Sequence, residues 1–426
     1  MSQAAVSIDY KKSVIDAVIA GLLALIVFGP IVGIVLDGYD FHAEPKRLLW
    51  IVVVVMAGRL LASVLFQTKR GKVLLYKHSS KDDGVHVLPP GHKSKLRWVI
   101  PLVIVIAFLM PFVATKYILT VIILGLIYVL LGLGLNIVVG LAGLLDLGFV
   151  GFYAIGAYGL ALGYENLGLG FWSMLPLAAI IAAFAGAILG FPVLRMHGDY
   201  LAIVTLGFGE IIRLVLTNWT SLTHGPNGMN APLPTLFGLE FKRRASEGHV
   251  PFHEFFGLSY SSAYKYIFIY LVLLLVVLGV LYVKKRLTKM PIGRAWEALR
   301  EDEIACRSLG LNHVLVKLSA FMIGASTGGL AGVFFATYQG FVNPSSFTFF
   351  ESALILAIVV LGGMGSTLGV VIAAFVLTVL PEVLREVAEF RVLAFGMLMV
   401  LMMIWKPRGL IRMTRTGVAL REGKVE

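Results

Sequence analysis

The chain has 426 residues, of which 58% are hydrophobic and only 14% charged, and its mean hydropathy is +0.90. A soluble domain carries roughly 25% charged residues, so the composition excludes an ordinary soluble enzyme and points to an all-α, polytopic membrane protein. The net charge of +12 does not call for nucleic acid, because Lys and Arg fall between apolar runs, as they do on the cytoplasmic side of a membrane.

A span needs about 20 apolar residues to cross the hydrocarbon core. The first run, Ser13 to about Leu36, is longer than a signal-peptide core, and no small-x-small cleavage site follows it. It reads as a retained span. Further spans are expected near 48–67, 98–114, 117–138, 146–163, 171–194, 200–217, 265–283, 315–337 and 391–405. The run 350–381 is too long for one span and is interrupted by GGMGSTLG at 362–369. Two short helices meeting at a glycine-rich turn fit it better, which brings the total to about 10–12 transmembrane helices including short ones.

Charge sets the orientation. Residues 68–97, 284–317 and the tail after Trp405 are rich in Lys and Arg, so all three are expected on the cytoplasmic side. Span parity agrees, and both termini then lie inside. The long loop 218–264 is expected outside, despite Lys242, Arg243 and Arg244. Residues 1–114 carry plain Leu/Ile/Val spans and a basic loop without motifs, so they read as an accessory segment. The motif-bearing core is expected over 115–411, followed by a short tail, 412–426.

Residues 140–159, GLAGLLDLGFVGFYAIGAYG, place glycines at 140, 143, 148, 151, 156 and 159. Their spacings alternate 3 and 5, an eight-residue repeat that puts them on one slowly rotating helix face. Two readings stand: tight helix packing through small residues, or a helix interrupted beside a substrate path. Asp146 lies in the same stretch, either as an intramembrane functional group or as a residue at the cytoplasmic interface. Glu210 and Arg213, three apart, can pair on one helix face, and a structural pair fits better than a relay. Arg59 is expected to snorkel toward the basic loop, and Lys317 to sit near a cytoplasmic helix end.

Catalytic chemistry is not apparent. The nine histidines avoid the middles of the expected spans, and there is no HExxH motif, no complete GxSG centre and no nucleotide-binding P-loop. If the protein uses ATP, another chain must bind it, and this chain is expected to hold no cofactor or metal itself. The lone Cys306 cannot form an internal disulfide.

The most informative polar stretch is 284–313. Pro291 can start a helix, and Ala295, Trp296, Leu299, Cys306 and Leu309 form an apolar stripe interrupted at Asp302 and Glu303. Two short helices are expected, with Gly310 closing the second. An ordinary basic loop is the alternative. A tryptophan and an apolar stripe instead suggest something to dock on.

Six segments occur together: GLAGLLDLGFVGFYAIGAY (140–158), MHGDYLAIVTLGFGEIIR (196–213), GPNGM (225–229), GRAWEALREDEIACRSLGLN (293–312), KLSAFMIGASTGGLAG (317–332) and VVLGGMGSTLG (359–369). In this order they resemble the membrane subunit of bacterial high-affinity branched-chain amino-acid ABC transporters, the LivM-type permeases. The resemblance covers about 120–411, and the accessory N-terminal spans suit the longer subtype. It implies a bacterial inner-membrane importer of leucine, isoleucine, valine and sometimes other amino acids. The implied partners are a second homologous permease, two cytoplasmic ATPases that carry ATP and Mg, a periplasmic binding protein and membrane lipid, with no nucleic acid. The binding protein is expected on loop 218–264 and the turn 339–349.

Residues 293–312 would be the coupling helices, with Gly293, Arg294, Trp296, Arg300, Glu303 and Gly310 as candidate ATPase-coupling residues. Gly140, Gly143, Asp146, Gly148, Gly151, Glu210, Gly362, Gly363 and Gly365 are the candidates for the translocation path or for helix packing. The chain departs from the common importer pattern: Glu303-Ile304-Ala305 stands for Glu-Ala-Ala, and Gly310 comes one residue late. Asp146 stands where many relatives carry an uncharged residue. A carrier driven by protons or sodium through Asp146 and Glu210 is the main rival, with an intramembrane enzyme a distant third.

Overall fold

The computed structural model describes residues 34–37, 40–43, 104–193, 199–236, 239–241, 250–257, 260–383 and 409–411, with a few isolated positions besides. The chain divides into two compact units, Met1–Pro89 with Gly417–Glu426, and Pro90–Thr416. In the first unit, β1 (Ile34–Asp37) pairs antiparallel with β2 (Asp40–Ala43). The end of the expected span 13–36 is therefore strand, not helix. The rest of that span, the spans 48–67 and 391–405 as continuous elements, Arg59, the basic loop 68–97, Lys242–Arg244 and the tail 412–426 lie outside the described residues.

The second unit is helical. Its elements are α1 (Ile104–Val113), α2 (Lys116–Leu135), a π-helical turn (Asn136–Leu141), α3 (Val150–Leu167), α4 (Phe171–Val193), α5 (Asp199–Asn218), α6 (Ala263–Leu287), α7 (Pro291–Glu301), α8 (Glu303–Ser308), α9 (His313–Gln339), α10 (Phe349–Gly362) and α11 (Thr367–Val383). Among the described residues, six segments are long and apolar enough to cross a membrane, and α1 and α11 are shorter apolar helices. α1 falls within the second unit, where the Ala107 carbonyl accepts a hydrogen bond from the Tyr270 hydroxyl of α6 at 2.7 Å. The compact unit thus begins before residue 115, because α1 is held to the helices that follow it.

Local signals set the helix ends. At the start of α2, Thr115 Oγ1 accepts from Ile118 N at 3.5 Å, and at the start of α9, Asn312 Oδ1 accepts from Leu315 N at 3.2 Å. Gly168 and Gly340 end α3 and α9 in the left-handed conformation that a side chain disfavours. The run 350–381 is divided as expected, with α10 and α11 separated at residues 363–366.

α9 is the centre of the bundle and packs on α4, α3 and α2. Its glycines remove the side chains that would hold the helices apart. A Cβ on Gly329 would stand 2.6 Å from the Ala182 Cβ and 2.7 Å from the Ala178 carbonyl, and one on Gly332 would strike the Tyr153 carbonyl. Backbones approach this closely only where both sides are small.

Two ends of the bundle can be told apart by their contacts. At one end, Lys116 Nζ meets Ser262 Oγ at 3.2 Å, His224 meets Glu165 at 3.2 Å, and Trp172 Nε1 donates to the Thr235 carbonyl at 2.7 Å. This end carries five short strands: β3 (Met229–Asn230), β4 (Thr235–Leu236), β5 (Leu239–Glu240), β6 (Val250–Pro251) and β7 (Phe341–Val342). β3 pairs with β7, while β4, β5 and β6 form a small sheet. At the other end, α7 and α8 meet the π-helical turn and the start of α9. The described parts of the loop 218–264 and the segment 284–313 thus fall at opposite ends of the bundle.

Candidate functional site

α7 and α8 form the helical pair expected from 291–308. Pro291 opens α7 at a position whose N–H needs no intrahelical partner. Asp302 separates the two helices in extended conformation, and its Oδ1 accepts from Ile304 N at 2.8 Å and Ala305 N at 3.0 Å. Such a cap is worth about 1 kcal/mol. Gly310, at φ +79°, ends α8 with paired bonds from Gly310 N to Arg307 O and from Leu311 N to Cys306 O.

The apolar stripe serves two purposes. Trp296 is fully buried, and its Nε1 donates to the Val316 carbonyl at 3.1 Å and Ser319 Oγ at 3.0 Å. It anchors α7 to α9, so it is not a surface contact. Leu299 and Cys306 are also buried. Leu309, expected on the same stripe, is instead 81% exposed, and Ile304 is 77% exposed. The periodicity breaks because Asp302 reorients the second helix. Gly293 is buried where α7 meets the end of α6; a Cβ there would lie 2.6 Å from the Thr288 Cα. Arg294 is exposed.

Glu303 turns back into the chain. Its carboxylate pairs with Lys317 Nζ at 2.8 Å and Arg307 Nη2 at 2.6 Å. Lys317 is only 2% exposed, so this pair ties α8 to α9 and supplies the ammonium with a partner as it leaves water. Arg300 reaches the interrupted span: its Nη1 donates to the Gly140 carbonyl.

The glycine-rich stretch is not one helix. Gly140 lies in the π-helical turn, Gly143 follows it at φ +73°, and Gly148 precedes α3. Of the glycines in the eight-residue repeat, only 151, 156 and 159 share α3. The shared face expected from the spacing is therefore lost, because the chain leaves the helix between residues 141 and 150. The span expected over 146–163 begins at Val150 and runs to Leu167.

Side chains satisfy the backbone groups that this break frees. Thr205 Oγ1 accepts from Leu147 N at 3.0 Å, Asp146 Oδ1 from Gly148 N at 2.9 Å and Ser352 Oγ from Val150 N at 3.0 Å. Asp146 is fully buried, not at an exposed interface, and its Oδ2 has no partner among the described residues. Its carboxylate lies near the N-terminus of α3, where the helix dipole favours negative charge. Gly148 is pressed against the Thr205 carbonyl of α5, whereas a Cβ on Gly151 would stand 3.3 Å from the Phe208 ring.

The second break is bound to the first. Asn136 accepts from Gly365 N at 2.7 Å and donates to the Ser366 carbonyl at 3.2 Å. Gly363 and Gly365 adopt φ of +102° and +86° in this turn. Gly362 and Gly369 mark the close crossing of α10 and α11. The carbonyls of Leu361 and Gly362 accept from Leu410 N at 2.8 Å and Ile411 N at 3.3 Å. Glu210 lies elsewhere, on α5, paired with Arg213 at 2.8 Å. It joins neither break.

Sequence reasoning missed Asn136, Thr205, Ser352 and Ser366. Asn136 left a signal: it is the single amide in the apolar run LGLGLNIVVG. The hydroxyls left none, since Ser and Thr are common in apolar helices.

A family described as the permease component of the branched-chain amino-acid transport system matches residues 117–405. A domain of unknown function matches residues 12–110. The LivM permease of the high-affinity branched-chain amino-acid transport system of Escherichia coli is 57% identical over 78% of this chain and 78% of its own length. The LivM permease of Salmonella typhimurium is 54% identical over 82% of this chain and 83% of its own. The LivH permease of Escherichia coli is 26% identical over 68% of this chain and 92% of its own. No solved structure matches. The chain belongs to the family of branched-chain amino-acid transport permeases, multi-pass membrane proteins.

Proposed function

We propose that the chain is the membrane subunit of an ATP-driven importer and forms, with a second homologous permease, the path for branched-chain amino acids. Two separate ATPases bind ATP and Mg at the cytoplasmic face, and this chain supplies no cofactor. A periplasmic binding protein delivers the substrate to the opposite face. The chain resides in the bacterial inner membrane with both termini cytoplasmic. The N-terminal segment before α1 acts as an accessory to a permease core that includes α1 and runs to 411, and 412–426 form a cytoplasmic tail.

The observation that carries this reading is the α7–α8 pair. Its inner side is fixed to the bundle by Trp296 and by the Glu303–Lys317 pair, while Ile304 and Leu309 project from α8. A surface held rigidly from within, with exposed apolar side chains set among charged ones, suits a docking element that transmits force. The interrupted helices 136–149 and 362–369 supply the parts that move.

The test is co-purification of the full-length chain from native membranes in mild detergent, with mass spectrometry of what is retained. Two ATPases and a second permease are expected. A chain that purifies alone, even after cross-linking, overturns the reading in favour of an ion-coupled carrier.

A further inference from the structure

We propose that Arg300 is the positioning residue that transmits movement of α7 to the interrupted membrane helices. The inference rests on the importer reading above.

Arg300 lies on α7, yet its guanidinium donates to the carbonyl of Gly140. Gly140 is in the last turn of the π-helical segment, where carbonyls lose their intrahelical partners. A cation there also complements the negative end of the helix dipole. The stem of Arg300 runs over Gly143: a Cβ at that position would stand 2.7 Å from Arg300 Cγ and 3.1 Å from Arg300 Cβ. The contact thus needs a long, permanently charged side chain on one partner and a glycine on the other.

The connection continues. Asn136, in the same π-helical turn, holds Gly365 and Ser366 of the second break. Through the backbone of this one π-helical turn, hydrogen bonds on one side reach α7 and on the other reach the second break. The other ties of the docking pair, Trp296 to Val316 and Ser319 and Glu303 to Lys317, reach α9 instead. α9 is packed along its length against α2, α3 and α4. A push on α7 and α8 therefore meets a closely packed helix at Trp296 and Glu303, and interrupted backbone at Arg300. The interrupted backbone is the side that can yield, and Arg300 grips it.

The test uses the whole importer in proteoliposomes with its binding protein, and reads leucine taken up per ATP hydrolysed. Arg300→Met is expected to assemble and to continue hydrolysing ATP, while uptake per ATP falls by about tenfold or more, the scale of one lost charge-assisted hydrogen bond. Arg300→Lys, which can still offer one charged donor to Gly140, should recover part of the ratio. A Met variant with the wild-type ratio overturns the inference. So does an assembled Met variant that loses hydrolysis and uptake in parallel, since Arg300 would then act on the ATPase alone. If the Met variant fails to assemble, the ratio in Arg300→Gln decides by the same criteria. Wild-type protein without ATP-dependent uptake would instead sink the importer reading.

Discussion

Two regions of this molecule depend on glycine and use it in opposite ways. Along the seam of α3, α4 and α9, glycine lets continuous helices close on one another. Between residues 136 and 149, and again at 362–369, it accompanies backbone that has left the helix. What separates the regions is their polar company. At the breaks, Asn136, Asp146, Thr205, Ser352 and Ser366 bind backbone groups left without helical partners. A glycine-rich membrane segment therefore cannot be read without its buried polar neighbours.

The largest effect is expected at the seam. Gly332→Val would drive a side chain into the Tyr153 backbone and should cost about 3 kcal/mol or more. Little folded protein should survive detergent extraction, as judged by size-exclusion chromatography. Gly279→Ala in α6, where a Cβ meets nothing within 4 Å among the described residues, is the control and should leave the yield unchanged or improved. Equal yields from the two variants would show that close approach is not what the seam glycines provide.

Asn136→Leu addresses the breaks. It leaves Gly365 N and the Ser366 carbonyl without their partner, at about 1–3 kcal/mol for each buried group. The melting temperature should fall, but by less than at Gly332, and uptake should fall further than the melting shift explains. A variant that melts normally would mean that the two breaks are not joined through this amide.

Lys317→Met should come next. Glu303 would keep Arg307, so the loss is about 1–2 kcal/mol, below the cost of breaking a fully buried pair. Proteolysis at the α8–α9 connection reads the loosening directly. Resistance equal to wild type would show that Trp296 and Arg300 fix the docking pair without Lys317.

Much of this architecture was legible in the chain. Apolar runs located the described spans from residue 116 onward, Pro291 and Asp302 marked two short helices, and GGMGSTLG divided the run after residue 350. The break at 142–149 was legible only as one of two readings, because an eight-residue glycine repeat is also compatible with a continuous helix and periodicity carries no information about a chain that leaves it. Nor was the direction of each coupling residue. Trp296 and Ile304 are both apolar residues in one short segment, but one is buried and the other projects. Only the angle imposed at Asp302 separates them. Glu303 and Lys317 lie 14 positions apart, beyond any helical neighbour rule, so their pairing needed the fold.

The smallest effect is expected from Glu210→Gln. The Glu210–Arg213 pair is one turn of α5, with each side chain about a third exposed, and its loss should cost about 0.5 kcal/mol. It touches neither break, so ATP-driven uptake should stay within about twofold of wild type, a change comparable to that energy. The same variant separates the two transport mechanisms. In an ion-coupled carrier an intramembrane carboxylate would take part in every cycle, and its amide would stop transport. Uptake that persists in Glu210→Gln, and that survives an uncoupler while ATP remains, would leave this carboxylate a structural role. Uptake lost in the variant, and abolished by the uncoupler in wild type, would move the mechanism from the docking helices to α5.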